Sequence, residues 1–166
     1  MNPRTGLAAI IFAFVTADVP TNLAIAAENQ VKGTLTYRTY SVTLKYAWLV
    51  KGHYEREPGK TIRRLILSAN DIGAKLQACE TMSCAGGQVT EGMTVDFDAP
   101  PRLGYWVAVN GGKVQYSFGA MPEAFVGRVD NAGRLAGKLA FDDGSAGGPK
   151  VDIEFDVTVF KEFKSD

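Results

Sequence analysis

The stretch Val151-Asp152-Ile153-Glu154-Phe155-Asp156-Val157-Thr158-Val159 alternates apolar and polar side chains without a break. Successive side chains of an extended strand point to opposite faces of a sheet, so a period of two places every apolar residue on one face. A helix would scatter the same residues around its circumference. The stretch therefore predicts a β-strand with one buried face.

The same alternation recurs along most of the chain. It predicts that the apolar residues of the segment 40–50 share one face of a strand, namely Val42, Leu44, Tyr46, Trp48 and Val50. Further strands are predicted close to residues 31–38, 62–68, 89–97, 103–109, 113–118, 125–130 and 134–142. Turn-forming sequences separate several of them, at 110–112, 130–133 and 142–149, which favours antiparallel hairpins.

These patterns predict an all-β domain of about nine strands that covers residues 27–166. Strands with one apolar face either close on themselves or pack as two layers, so an antiparallel β-sandwich and a flattened β-barrel both remain open. One segment departs from the pattern. Residues 68–79 contain cap-type side chains followed by helix formers, and they predict one short helix despite Gly73.

Residues 1–26 are predicted to be a signal peptide. Arg4 precedes an apolar run from residue 6 to residue 17, which is too short to span a bilayer as a helix but typical of a signal-peptide core. Ala24 and Ala26 have the small side chains that signal peptidase accepts, so we expect cleavage after Ala26. An uncleaved anchor or a buried helix are the alternatives. The mature chain, without a membrane span, would reside in the periplasm or outside the cell.

Cys79 and Cys84 are the only two cysteines. In an exported protein such a pair favours a local disulfide over a redox site, whose cysteines are usually two residues apart, or a metal site. The chain has 18 basic and 18 acidic residues, so it has no net charge that would attract nucleic acid or an anionic membrane. We expect no metal, no cofactor and no nucleic-acid partner.

The sequence contains no catalytic motif that we can identify. His53 is the only histidine and lies in a charged loop, whereas hydrolytic triads use a histidine base. Nucleophile-elbow, phosphate-loop and dinucleotide-binding glycine patterns are absent. Carboxylates can act in pairs or bind calcium, but on an edge hairpin they more simply deter aggregation. The candidates are Asp142, Asp143, Asp152, Glu154 and Asp156.

Trp106 is the most informative aromatic residue. The alternation of its strand directs Tyr105 and Val107 to one face and Trp106 to the other, beside Gly104 and Ala108. A large aromatic among small residues is either covered by another part of the chain or exposed as an interface anchor. The loop 52–60 is a second candidate, because it offers stacking and hydrogen-bonding groups in His53, Tyr54 and Arg56.

Three functions follow from these features. The first is a non-enzymatic binding protein that recognises another protein or an envelope component through Trp106, His53, Tyr54 and Arg56. The second is a small-molecule-carrying barrel with an internal cavity lined by Tyr46, Trp48, Tyr105, Tyr116 and Phe118. The third is a carboxylate- or metal-dependent enzyme. The target and the oligomeric state stay open, since architecture does not fix function.

Overall fold

The computed structural model describes residues 30–57 and 59–164. The predicted signal peptide lies outside the described residues. Most of the described chain is β-strand, which confirms the all-β class. The strands are β1 (Gln30–Tyr37), β2 (Tyr40–Thr43), β3 (Tyr46–His53), β4 (Thr61–Ser68), β5 (Gly92–Phe97), β6 (Leu103–Val109), β7 (Lys113–Ala120), β8 (Phe125–Asn131), β9 (Arg134–Asp142) and β10 (Lys150–Glu162). The α-helices are α1 (Gly73–Ala78) and α2 (Met82–Gly86).

The strands form one sheet that curls into a half-barrel. Its main path runs β2-β1-β10-β3-β4-β5-β6-β7, and β9 and β8 branch from β10. The 13-residue β10 makes this branching possible, because it pairs antiparallel with β1 and β9 and then parallel with β3 near its end. The remaining pairings within the described residues are antiparallel. The hairpins β6–β7, β8–β9 and β9–β10 are those that the turn sequences predict.

The strand count exceeds the prediction because the stretch predicted as one strand is divided between β2 and β3. The Leu44 N–H donates to the Gly33 carbonyl on β1 at 3.1 Å, and the next N–H, that of Lys45, donates to the Ser68 carbonyl on β4 at 3.0 Å. The chain thus changes partner within two residues. Leu44 packs on the inner side of the half-barrel and Trp48 on the outer side, so the predicted single apolar face of this stretch is wrong.

The sheet has a buried core on each side. The inner core fills the half-barrel with side chains such as Leu35, Leu65 and Ile153. The outer core lies between β3, β4 and the two helices, where Ile66 and Leu76 are fully buried. Because β4 is covered on both faces, its sequence reads as a nearly continuous apolar run with little alternation.

α1 lies within residues 68–79, where one short helix is predicted, and α2 is an additional helix outside that range. Ser68 remains in β4, and the Asp71 carboxylate accepts the Gly73 N–H at 2.9 Å, so α1 begins later than predicted. The Thr81 hydroxyl accepts the Cys84 N–H at 3.1 Å and caps α2. Neither helix in the described part of the chain approaches the length and hydrophobicity that a bilayer crossing requires.

The predicted disulfide joins the two helices, with the Cα atoms of Cys79 and Cys84 5.5 Å apart. We expect the double substitution Cys79→Ser/Cys84→Ser to lower the free energy of unfolding by about 2 kcal/mol, because the open loop gains entropy in the unfolded chain. Urea denaturation would measure this change, and wild-type protein kept in reductant should match the variant. Identical midpoints for oxidised and reduced protein would contradict a stabilising role.

Tyr105 ties β6 to the loop between β9 and β10. The side chain is fully buried, and its hydroxyl donates a hydrogen bond to the Asp143 carboxylate at 2.5 Å. Its ring packs against Phe141 and Tyr116, with centroid separations of 5.0 and 6.1 Å. Burial, with the adjacent Asp143 charge, raises the pKa of Tyr105 well above its usual value.

This raised pKa predicts a loss of stability in alkali. The unfolded chain releases the Tyr105 proton near pH 10 and the folded protein only at higher pH, so stability falls as the pH rises above about 10. Tyr105→Phe should lower stability at neutral pH by about 1–3 kcal/mol, since Asp143 loses its donor, and should flatten the alkaline decline. Urea denaturation between pH 7 and 11 tests this, with the exposed Tyr40→Phe as the control. Equal alkaline slopes for wild type and Tyr105→Phe would contradict it.

Candidate functional site

Trp106 lies on the outer face of β6 and is half-buried. Its neighbour on the strand, Ala108, packs into the outer core, so Trp106 stands beside the area that the helices cover. The indole packs against the backbone at Gly104, where an added Cβ atom would lie 3.4 Å from the ring, an ordinary contact distance. Part of the Trp106 side chain is therefore packed and part remains accessible, which lies between the covered and the exposed arrangements considered for it.

Two arginines lie over the Trp106 ring. The guanidinium carbons of Arg56, from the β3–β4 loop, and Arg64, from β4, are each 5.4 Å from the ring centroid. This is the distance range of cation–π attraction. Arg64 also donates to the Met82 carbonyl at 3.1 Å, so one side chain connects β4, α2 and Trp106.

Arg64 forms a bidentate ion pair with Asp96 of β5. Its Nε and Nη2 atoms lie 2.5 and 3.0 Å from the two carboxylate oxygens, and Asp96 is fully buried. Burial raises the pKa of Asp96, and the charge of Arg64 opposes that effect. The hydrogen bond and charge of Asp96 more than offset the effect of burial on Arg64, whose pKa is raised. Arg64 is thus neutralised by its partner and serves as a structural anchor beneath Trp106.

Two shallow grooves flank Trp106. The first, here called the proline groove, has a volume of about 360 Å³ and is lined by Tyr54, Arg56, Ala99, Pro100, Pro101, Arg102, Gly104, Trp106, Ser117, Phe118 and Gly119. The second, the helix groove, has a volume of about 260 Å³ and is lined by Tyr54, Glu55, Arg56, Arg64, Ser83, Gly86, Gly87, Thr94, Trp106 and Val114. We call the two grooves together the Trp106 surface.

The structure brings together three of the four residues predicted to bind a partner. Trp106, Tyr54 and Arg56 line both grooves, although they come from β6 and from the loop after β3. His53, at the end of β3, is half-buried and lines neither groove. Phe118, predicted to line an internal cavity, is instead 55% exposed and borders the proline groove.

The other predicted cavity residues do not border one space. Tyr46 and Trp48 stack on each other on the outer side of the sheet, with ring centroids 5.8 Å apart. Tyr105 and Tyr116 pack together on the inner side. The sheet therefore separates the two pairs, because the face of β3 that holds Tyr46 and Trp48 is opposite to the one predicted by simple alternation.

The carboxylates of the last hairpin have partners of their own. In the described residues no group of three or more His, Cys, Asp or Glu side chains is placed to hold a metal ion. Four of the five candidate acids contact a cation or a hydroxyl, in the pairs Asp142–Lys150, Asp143–Tyr105, Asp152–Lys138 and Asp156–Arg134. These contacts connect neighbouring strands to each other and connect the β9–β10 loop to β6, so the four carboxylates stabilise the fold.

Arg64, Asp96 and Arg102 belong to the site but were not predicted from the sequence. A signal exists for Arg64, because it interrupts the apolar run of β4, and a charge inside a buried strand predicts a buried partner. Asp96 gives a weaker signal, since it occupies a polar position of the alternating segment 89–97. Arg102 offers no such signal, since it follows Pro100 and Pro101 in what reads as an ordinary loop.

The Trp106 surface provides guanidinium groups, aromatic rings and proline rings. Its lining residues come from the sheet, from the loop after β3 and from α2. Comparisons of the chain with models of protein families, with curated proteins and with solved structures find no match.

Proposed function

We propose that this protein is an exported, non-enzymatic binding module that recognises a partner through the Trp106 surface. The observation that carries the proposal is the convergence of Trp106, Tyr54 and Arg56 between two grooves on the outer face. Tryptophan, tyrosine and arginine are the residue types most enriched among interface hot spots. A partly packed tryptophan also loses little conformational entropy when a partner covers it.

The disulfide between Cys79 and Cys84 supports a site of action outside the reducing cytoplasm. The predicted signal peptide supports the same compartment. The partner is accordingly a protein or another component of the cell envelope or its surroundings. N-terminal sequencing of the processed protein should give Ala27 as the first residue, and a mature chain that starts at Met1 would contradict export.

A photoreactive amino acid placed at Ser117 tests the binding surface. Ser117 is exposed and lines the proline groove. The matched control is the same amino acid at Val126 on β8, which is 69% exposed and lines neither groove. Irradiation of cells that export the full chain should give a discrete adduct from position 117 and none from position 126.

Trp106→Leu should reduce the adduct at position 117 by about tenfold, the ratio that corresponds to a loss of about 1.4 kcal/mol of binding free energy. Circular dichroism of the purified variant shows whether the fold is retained. If Trp106→Leu fails to fold, Arg56→Ala takes its place as the test variant, because it alters an exposed loop residue. Equal adducts at both positions, or an adduct at position 117 that neither substitution reduces, would rule out recognition through this surface.

A further inference from the structure

The proline groove is positively charged. Its lining includes Arg56 and Arg102 and no acidic residue. Within residues 30–57 and 59–164, neither arginine forms an ion pair, whereas Arg63, Arg64 and Arg134 each bind a carboxylate. The groove thus presents two guanidinium groups that have no ion-pair partner in that part of the chain.

Both arginines are nevertheless held in place. The guanidinium of Arg56 lies over the Trp106 ring, and that of Arg102 lies 5.8 Å from the centroid of Phe118. Arg102 also donates one hydrogen bond to the Gly119 carbonyl, at 3.1 Å. A guanidinium that rests on an aromatic face keeps the N–H donors of its plane available. These donors match the two oxygens of a carboxylate, and such charge-assisted bonds are strong.

The shape of the surface favours an extended ligand. Tyr54, Arg56 and Trp106 line both grooves, so the two grooves adjoin at these residues, and a ligand that occupies both would follow a path across Trp106. Apolar contacts border this path, from Pro100 and Pro101 in one groove to Val114 in the other. A chain with both acidic and apolar side chains complements such a surface better than a compact ion does.

A peptide fits these features better than an acidic polysaccharide. Sugar rings bind proteins by stacking on open aromatic faces, but Trp106 and Phe118 already carry guanidinium groups. The apolar side chains of a peptide can instead contact the proline rings and Phe118, which is 55% exposed.

We propose that the Trp106 surface holds an acidic, extended peptide segment of a partner protein, with carboxylates paired to Arg56 and Arg102. This inference rests on the proposed function and specifies the chemistry of the partner. Electrostatic complementarity of this kind raises both the association rate and the specificity of a complex.

Fluorescence anisotropy with labelled peptides tests the proposal on the processed full-length protein. The probe is a peptide of about nine residues in which pairs of aspartates alternate with pairs of valines, so that each face of the extended chain carries both types, and it spans roughly 30 Å. Its matched control replaces each aspartate with asparagine. We expect the acidic probe to bind at least about tenfold more tightly, and to weaken as salt is raised.

Arg56→Gln and Arg102→Gln should each weaken the acidic probe by about tenfold. The matched control is Arg38→Gln, because Arg38 is an exposed arginine on a tyrosine ring, 5.2 Å from the centroid of Tyr37, and lines neither groove. Arg38→Gln removes one positive charge from the protein, as Arg56→Gln and Arg102→Gln each do. Equal losses for Arg38→Gln and Arg56→Gln would show a general charge effect and overturn the proposal.

Two further results would overturn the proposal. One is equal binding of the acidic and asparagine peptides at millimolar concentration. The other is tighter binding of polygalacturonate, an acidic polysaccharide, than of the acidic peptide.

The crosslinking experiment distinguishes failure of the acidic-peptide proposal from failure of the proposed function. A Trp106-dependent adduct at position 117 that Arg56→Gln and Arg102→Gln leave unchanged would keep the binding surface and reject the acidic peptide.

Discussion

Replacing Asp96 with alanine is expected to reduce the free energy of unfolding by about 3–5 kcal/mol, because it leaves the buried guanidinium of Arg64 without its counter-charge. Asp96 is fully buried, and Arg64 is 7% exposed, so water cannot take the place of the carboxylate without opening the structure. Urea denaturation followed by circular dichroism measures the change.

The effect should depend on burial rather than on ion pairing as such. Asp152→Ala removes the partner of Lys138 in an exposed pair and is expected to change the free energy of unfolding far less than Asp96→Ala does. The double substitution Arg64→Met/Asp96→Leu should recover much of the loss, because replacing both buried charges with apolar groups also removes their desolvation penalty. Equal losses for Asp96→Ala and Asp152→Ala would contradict this account of the ion pair.

Gly92→Ala is expected to be at least as damaging. Gly92 has a φ of +155°, and a Cβ atom there would lie 2.0 Å from the Leu67 carbonyl oxygen of the paired strand β4. Backbone cannot give way as a flexible side chain can, so β4 and β5 would have to separate where both are covered by the two cores. We expect a loss above about 3 kcal/mol or failure to fold, measured by thermal and urea denaturation.

Gly133→Ala is the matched control for this substitution. The nearest atom to an added Cβ, the Asn131 side-chain oxygen, lies at an ordinary contact distance of 3.8 Å. We expect its stability to stay within about 0.5 kcal/mol of wild type. A wild-type-like denaturation midpoint for Gly92→Ala would mean that β4 and β5 are not in such close contact at this point.

The alternation in β10 predicts its buried face correctly. One face of this strand is solvated, so polar residues occupy every second position and apolar residues occupy the positions between them. β4 carries weaker information, because helices cover its second face and apolar residues are favoured on both sides. The division between β2 and β3 cannot be predicted from the alternation. Positions 44 and 48 are both apolar, although Leu44 packs in the inner core and Trp48 in the outer core, so the sequence continues as if the strand were unbroken.

The candidate site was predictable to the extent that it depends on Trp106. Its position opposite Tyr105 and beside Gly104 follows from alternation, and the structure places it on the outer face. The contribution of Arg102 depends on how the loop before β6 returns towards β7, a long-range relation that has no local sequence signal. The placement of His53 outside the grooves likewise depends on where β3 ends.

Hydroxyl-radical footprinting of the protein in its native compartment tests the binding surface most directly. Trp106 and Tyr54, which line both grooves, should be oxidised more slowly there than in the purified protein, while Tyr40, 40% exposed on β2, should react equally in both. That result would show a partner seated on the Trp106 surface. Unchanged oxidation of Trp106 and Tyr54, together with protection of Tyr40, would place the partner elsewhere and contradict the account.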